Sequence, residues 1–269
     1  MSKTRSFLQR KAAERIPAPM LEAAGRAVVR GVDEAVERRW PAALRRADGA
    51  EGDTPEARSR SVSKAFTREM VSLGAATGAT AAAPGLGTAS ALSLLAAELS
   101  WFAFRASDLI MTIGAVNGHT EATAEERRAW VLAVLAHGER AADEFAVLLA
   151  DLDHSRVLDG ERVGALVAGV MGSDVATVDT LRRINAKLGA RVAVRFGSRE
   201  GLITLGRILP FGIGAVVGGT ANWALTRTLS AQARRFFGQY QLSAGPPPPV
   251  VELEPGTPAG APPPRELNR

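Results

Sequence analysis

Apolar residues recur every three to four positions along most of this chain, which is the spacing of one face of a helix. The stretch from Pro19 to Trp40 shows it first, with arginine and glutamate between the apolar positions. A polar, turn-forming segment follows at 47–61, in which Thr54 and Pro55 are placed to cap the next helix. No window alternates polar and apolar residues for long enough to predict a strand. The pattern therefore predicts an all-α fold.

Two long runs without charged residues interrupt this pattern. The first run, 70–97, is broken near its middle by a turn at Pro84, Gly85 and Gly87, which predicts a hairpin of two helices. Before the turn, small residues recur four apart and would let another backbone approach closely; they include Gly74 and Gly78. The run therefore predicts close helix packing.

The second uncharged run, 208–226, is the richest in glycine. At about 1.5 Å per residue it would reach about 28 Å, close to the roughly 30 Å of a bilayer's hydrocarbon core. Fewer than half of its side chains are large and apolar, so burial in a soluble helical core and a re-entrant membrane hairpin both remain open. The helix-packing or membrane-hairpin candidates here are Pro210, Gly212, Gly214, Gly218, Gly219 and Asn222.

Other helix ends carry ordinary capping signals. Asn117 and Gly118 should stop the helix that follows the first uncharged run. Thr123 and Glu126 have the spacing of a capping box, and Gly138 should end the helix that they begin. Further helices are predicted over 141–152 and 174–197, and from Pro210 to about Tyr240.

Glu98 is the carboxylate that closes the first uncharged run. Arg105 and Asp108 follow it at helical spacings. Since buried acids are costly unless they are paired, Glu98 is either a polar contact inside the bundle or near a membrane, or a surface acid close to Arg105.

Positive charge is concentrated in residues 181–240. The chain carries a net charge of +5, yet residues 181–240 hold ten basic residues and one acidic residue. Basic side chains four apart along a predicted helix form what we call the basic stripe: Arg183, Lys187, Arg191, Arg195 and, just beyond the helix, Arg199. Such a stripe suits an anionic lipid surface or a solvated helix face. Interleaved aromatic residues are missing, so no nucleic-acid partner is predicted.

Composition bears on the location of the protein and on its domain organisation. The chain has no cysteine and its first fifteen residues lack the apolar core of a signal peptide, so we expect a cytoplasmic protein, with the inner face of the cell membrane as one location. The proline-rich residues 244–269 predict a disordered tail. The predicted organisation is an N-terminal helix and linker (1–61), a helical domain (62–243) and this tail.

The sequence offers little support for a catalytic, metal-binding or cofactor-binding site. The acidic loop at 151–161 does not match a calcium-binding loop, because Arg156 occupies the glycine position. The glycines at 212–218 lack the preceding strand of a dinucleotide-binding loop. No catalytic residue, metal site or cofactor is therefore predicted, and a small-molecule ligand stays undefined.

These elements together resemble the EcsC family, over about residues 71–238. The most specific match is the proline, glycine-rich run and asparagine at 209–222, followed by Ala233 and the phenylalanines at 236–237. A second match is the turn at 84–87 before an acidic residue, where the family usually has aspartate and this chain has Glu98. The resemblance implies a helical fold and, through its name-giving member, a link to an ABC transporter; it implies no activity.

The sequence therefore predicts an all-α, glycine-rich helical bundle built around two helical hairpins. We expect a non-enzymatic, membrane-associated accessory protein whose partner is an anionic membrane surface or a membrane protein such as a transporter. A soluble helical enzyme and a soluble scaffold protein are the alternatives.

Overall fold

A computed structural model describes residues 17–80, 88–152, 178–198 and 215–243. This part of the chain contains helices and no strand, as the periodicity predicts. A 3₁₀ turn at Gly138–Arg140 joins the fifth and sixth helices. In chain order the α-helices are α1 (Ala18–Arg38), α2 (Trp40–Asp48), α3 (Pro55–Thr80), α4 (Thr88–Val116), α5 (Ala124–His137), α6 (Ala141–Leu152), α7 (Val178–Phe196) and α8 (Ala215–Ser243).

Several predicted helix ends are confirmed. The Thr123 hydroxyl accepts a hydrogen bond from the Glu126 amide at 3.3 Å, and the Glu126 carboxylate accepts one from the Thr123 amide at 2.6 Å. This capping box begins α5. Gly118 after α4 and Gly138 after α5 have φ of 94° and 62°, a backbone conformation that side chains with a Cβ rarely adopt.

The N-terminal region differs from its prediction. The helix expected to reach Trp40 ends at Arg38, and a separate helix, α2, covers Trp40–Asp48, of which only residues 47–48 belong to the predicted polar segment. The next helix, α3, begins at Pro55, as the predicted cap at Thr54 and Pro55 requires, and the Thr54 hydroxyl accepts a hydrogen bond from the Ala57 amide at 3.1 Å. The predicted boundary at residues 61 and 62 consequently lies inside α3. Local capping, rather than hydrophobic periodicity, sets where this helix begins.

Helix α4 lies between two groups of helices. It packs against α1 and α2, which precede it in the chain, and also against α3 and α8. Gly31 of α1 contacts α4 so closely that an added Cβ would overlap the carbonyl oxygen of Ser100. Gly25 approaches the Ala193 carbonyl of α7 in the same way. The two glycines of α1 thus let it fit closely against both α4 and α7.

Helix α3 runs antiparallel to α4. Asn117 Nδ2 at the end of α4 donates a hydrogen bond to Ser59 Oγ near the start of α3 at 3.3 Å. Further along, Arg105 Nη2 lies 2.6 Å from Glu69 Oε1. The sequence order of these contacts is opposite in the two helices. The turn predicted to join them, at Pro84, Gly85 and Gly87, lies outside the described residues, so the hairpin itself stays a prediction.

Helix α8 completes this side of the bundle. It packs along α3, and its Phe237 ring lies against Gly114 of α4 and 5.2 Å from the Trp130 ring of α5. The C-terminal ends of α4 and α8 and the N-terminal end of α3 therefore lie together. We call this end of the bundle the base. The second uncharged run begins outside the described residues, which leave out Pro210, Gly212 and Gly214.

Helix α7 packs on α5 and α1, and α6 packs on α5 and α8. Buried apolar side chains from all eight helices form one contiguous core. The N-terminal helices α1 and α2 share this core, to which Val28, Val32 and Ala43 contribute fully buried side chains. They are therefore part of the same helical body as the rest of the described chain.

The close approach of α1 and α4 can be tested with two alanine substitutions. Gly31→Ala should lower the free energy of unfolding by about 1–3 kcal/mol, because the new methyl group forces α1 and α4 apart. Gly189→Ala in α7 is the control, since no atom lies within 4 Å of a Cβ built there. We expect it to be neutral or stabilising by up to about 1 kcal/mol, from helix propensity. Urea denaturation measures both changes, and equal effects would contradict the close packing.

Candidate functional site

Three helices place uncharged segments at the end of the bundle opposite the base. These are residues 70–80 of α3, 88–97 of α4 and 215–226 of α8, and none contains a charged residue. Because α3 runs antiparallel to α4 and packs along α8, the three segments lie at the same end. We call them the uncharged end. It includes the predicted candidates Gly74, Gly78, Gly218, Gly219 and Asn222 in helical segments.

Two exposed tryptophans mark where the uncharged end begins. Trp101 on α4 is 44% exposed and Trp223 on α8 is 48% exposed. Counting about 1.5 Å per residue from the base, Trp101 lies about 24 Å above Asn117, and Trp223 lies about 21 Å above Phe237. The two rings are thus at nearly the same height, although they are on different helices. The Arg227 guanidinium stacks on the Trp223 ring at 5.2 Å, on the side towards the base.

Glu98 lies one turn beyond Trp101, on the outer side of α4. Its side chain is exposed, yet the packed apolar atoms around it desolvate the carboxyl enough to raise its pKa. Arg105, the neighbour expected from helical spacing, contacts Glu69 and Asp108 instead. Glu98 therefore adds one titratable group beside the uncharged end, without an ion-pair partner among the described residues.

Residues of the basic stripe differ in their contacts with the other helices. Arg183, Lys187, Arg191 and Arg195 are all exposed. Arg191 also lies 3.8 Å from the Glu144 carboxylate and 3.2 Å from His137 Nε2. Arg195 donates hydrogen bonds to the carbonyl oxygens of Leu135 at 3.1 Å and Ala136 at 2.6 Å, the last turn of α5. A guanidinium there satisfies free carbonyls at the negative end of the helix dipole. Arg199 lies outside the described residues.

The two halves of the basic stripe lie at different heights along the bundle. Asn185 donates a hydrogen bond to the Glu125 carbonyl at the start of α5, while Phe196 lies 6.2 Å from Phe102, next to Trp101. The N-terminal half of the stripe is thus nearer the base. Its C-terminal half, which includes Arg191 and Arg195, approaches the height of the tryptophans.

A buried charged cluster lies below this height, and sequence analysis does not predict it. Asp108 on α4 is fully buried, and its Oδ2 atom accepts hydrogen bonds from three guanidinium groups. Arg39 follows α1 and donates at 2.9 Å, Arg105 on α4 donates at 3.2 Å, and Arg46 on α2 makes the third contact. Glu69 on α3 contacts both Arg105, at 2.6 Å, and Arg46, at 3.6 Å. We call these five residues the arginine cluster.

Aromatic rings hold the guanidinium groups of the cluster in place. The Phe66 ring lies 4.6 Å from the Arg105 guanidinium carbon and 5.7 Å from that of Arg46. Phe104 lies 5.8 Å from Arg39. Stacking and ion pairing together restrict these long side chains, which would otherwise lose much conformational entropy on binding a partner.

One helix in the described part of the chain is long and apolar enough to cross a membrane. This segment, Ala96–Val116 of α4, is 83% buried inside the fold over its most apolar window. It also contains the buried ion pairs of Arg105 and Asp108. Its apolar surface is therefore used for packing against other helices.

No group of three histidine, aspartate or glutamate side chains within the described ranges is arranged to hold a metal ion. Most of the predicted acidic loop, from residue 153, lies outside those ranges. No protein-family model, curated protein or solved structure matches the chain.

The cluster can be tested for its structural role. Asp108→Asn should lower the free energy of unfolding by about 3–5 kcal/mol, because three arginines lose the negative charge that compensates them in a buried site. Glu34→Gln is the matched control. It breaks an exposed pair with Arg38, which should be worth less than about 0.5 kcal/mol. Similar denaturation midpoints for Asp108→Asn and the wild type would contradict the role assigned to Asp108.

Proposed function

We propose that this protein is a non-enzymatic, EcsC-like accessory protein that associates with an anionic membrane surface at the cytoplasmic face, where it would assist a membrane protein such as an ABC transporter. One observation carries this proposal. Three uncharged helix segments lie at the same end of the bundle, and two exposed tryptophans lie at its edge. The EcsC resemblance supports the transporter link.

The lengths of the uncharged segments favour shallow insertion. Counted from the level of Trp223, the rest of helix α8 towards its start at Ala215 would extend about 12 Å. This length is less than half of the roughly 30 Å hydrocarbon core. In this proposal the uncharged end enters one leaflet, while the buried surface of α4 keeps its helix contacts.

The tryptophans fit the boundary of such a leaflet. Indole rings favour the interface between headgroups and hydrocarbon, because the ring is apolar and its N–H can still bond to water or lipid oxygen. Trp101 and Trp223 have nearly equal heights, so one plane can accommodate both. Arg227, next to Trp223 on the base side, would then lie among the anionic headgroups.

In this orientation, only part of the basic stripe would lie near the membrane. Only its C-terminal half, with Arg191 and Arg195, would approach the headgroups. Both guanidiniums also contact α5 or α6, so they would contribute through the local potential more than through direct lipid contacts. Arg183 and Lys187 would face the cytoplasm.

Vesicle flotation tests the proposal. The full chain should float with vesicles of phosphatidylcholine and phosphatidylglycerol, and the double variant Trp101→Ala, Trp223→Ala should bind about thirtyfold more weakly. That factor corresponds to about 2 kcal/mol for two half-exposed indoles that lose their contact with lipid.

Val147→Ala is the matched control, because Val147 is 54% exposed and follows Phe145, which packs against Phe236 near the base. It should bind as the wild type does. A chain that stays in solution with every vesicle would contradict the proposal and favour the soluble enzyme or scaffold. Equal loss of binding in the control would contradict the assigned end.

A further inference from the structure

The arginine cluster has more positive charge than its own ion pairs require. Three arginines face two carboxylates, Asp108 and Glu69, which leaves a net charge of +1. All three guanidiniums share a single oxygen, Asp108 Oδ2. A guanidinium has five N–H donors, so most of the cluster's donors are directed elsewhere.

Some of these donors are buried without an acceptor. Arg39 Nε and Arg105 Nε have no hydrogen-bond partner and almost no contact with solvent. Arg105 Nη2 is close to Glu69, but it is not aligned for a hydrogen bond. The corresponding orphan acceptor is Asp108 Oδ1 alone. Because buried polar groups gain from pairing, this excess of donors over protein acceptors suits the uptake of a further acceptor.

The cluster is accessible from one side. The Arg105 side chain is 9% exposed, whereas Arg39 and Arg46 are 26% and 34% exposed. An anion can therefore approach the outer edges of Arg39 and Arg46, while Arg105 adds its charge from below. Glu69, 41% exposed, is the carboxylate that an incoming anion would displace most easily.

The height of the cluster is consistent with a lipid phosphate. Arg105 precedes Asn117 by twelve residues, about 18 Å along α4, so it lies about 6 Å below Trp101 on the base side. When the two tryptophans lie at the membrane interface, the headgroup phosphates should reach this level.

We propose that the arginine cluster is a binding site for a phosphate monoester, presented by a lipid headgroup or by a free small molecule. A phosphate monoester carries about −1.5 to −2 charge and three acceptor oxygens, which suits paired guanidiniums better than the single charge of a diester. The lipid form of the inference rests on the proposed membrane function; binding of free phosphate does not.

Two substitutions should change the affinity in opposite directions. Arg46→Gln should weaken phosphate binding about tenfold, because it removes one charged donor pair. Glu69→Gln should strengthen binding severalfold, since it removes the competing carboxylate, and loss of stability alone would not produce this gain. Arg45→Gln, an exposed neighbour of Arg46, is the control and should leave binding unchanged.

The experiment uses the full chain with two probes. Inorganic phosphate is titrated by calorimetry. Flotation then compares vesicles containing phosphatidic acid or phosphatidylglycerol at equal surface charge. Circular dichroism and the melting temperature verify that each variant is folded.

We expect phosphate binding and a preference for phosphatidic acid, both altered by the two substitutions in the stated directions. Phosphate binding without that lipid preference assigns the site to a free phosphate monoester, and the lipid preference without free phosphate binding assigns it to a headgroup. Absence of both, or binding that neither substitution changes, would overturn the inference. Binding to phosphatidylglycerol vesicles would still support the membrane function in that case, and failure to bind any vesicle would contradict that function separately.

Discussion

The architecture depends on one buried charge, the carboxylate of Asp108. It lies in α4, the one described helix that is long and apolar enough to cross a membrane, and it is inaccessible to water. A carboxylate in such a place is tolerated only when cations and hydrogen bonds compensate it. Arg39, Arg46 and Arg105 supply both; Arg39 lies between α1 and α2, and Arg46 lies in the last turn of α2. The charge therefore determines where these two helices meet α4.

The same network extends to α3. Glu69 of α3 contacts Arg46 and Arg105, so a single group of charges joins α2, α3 and α4. Other helix pairs are held by close backbone contacts, as at Gly31 of α1. Charged contacts thus hold the middle of the bundle, and the uncharged segments of α3, α4 and α8 lie at one end. This separation of charge along the bundle is what makes one end suitable for a membrane and the adjoining level suitable for an anion.

Local sequence signals predicted much of the fold. The all-α class, the capping box at Thr123 and the stops at Gly118 and Gly138 each depend on a few neighbouring residues, and the structure confirms them. Helix α2 was missed because the predicted helix ended at Trp40, the polar segment began at residue 47, and residues 41–46 were assigned to no element. The signal that could have found it is Pro41, which suits the first turn of a new helix.

The candidate site could be predicted only in part. The uncharged runs and the basic stripe are visible in sequence, since each depends on residues close together in the chain. The arginine cluster is not, because Arg39 and Arg46 are more than sixty positions from Asp108. Likewise, spacing alone placed Arg105 beside Glu98, but tertiary packing directs it to Glu69. The shared height of Trp101 and Trp223 requires α4 and α8 to run parallel with their C-terminal ends together, which no local pattern specifies.

Contact between the uncharged end and lipid can be measured directly, because the chain contains no cysteine. A single cysteine at exposed Ala97, one turn before Trp101, would carry a polarity-sensitive fluorophore, and one at exposed Glu121, near the base, would serve as the reference. With vesicles containing phosphatidylglycerol, the account predicts a blue shift and quenching by lipid-borne quenchers at position 97 and neither at position 121. An unchanged spectrum at position 97 in vesicle-bound protein would contradict it.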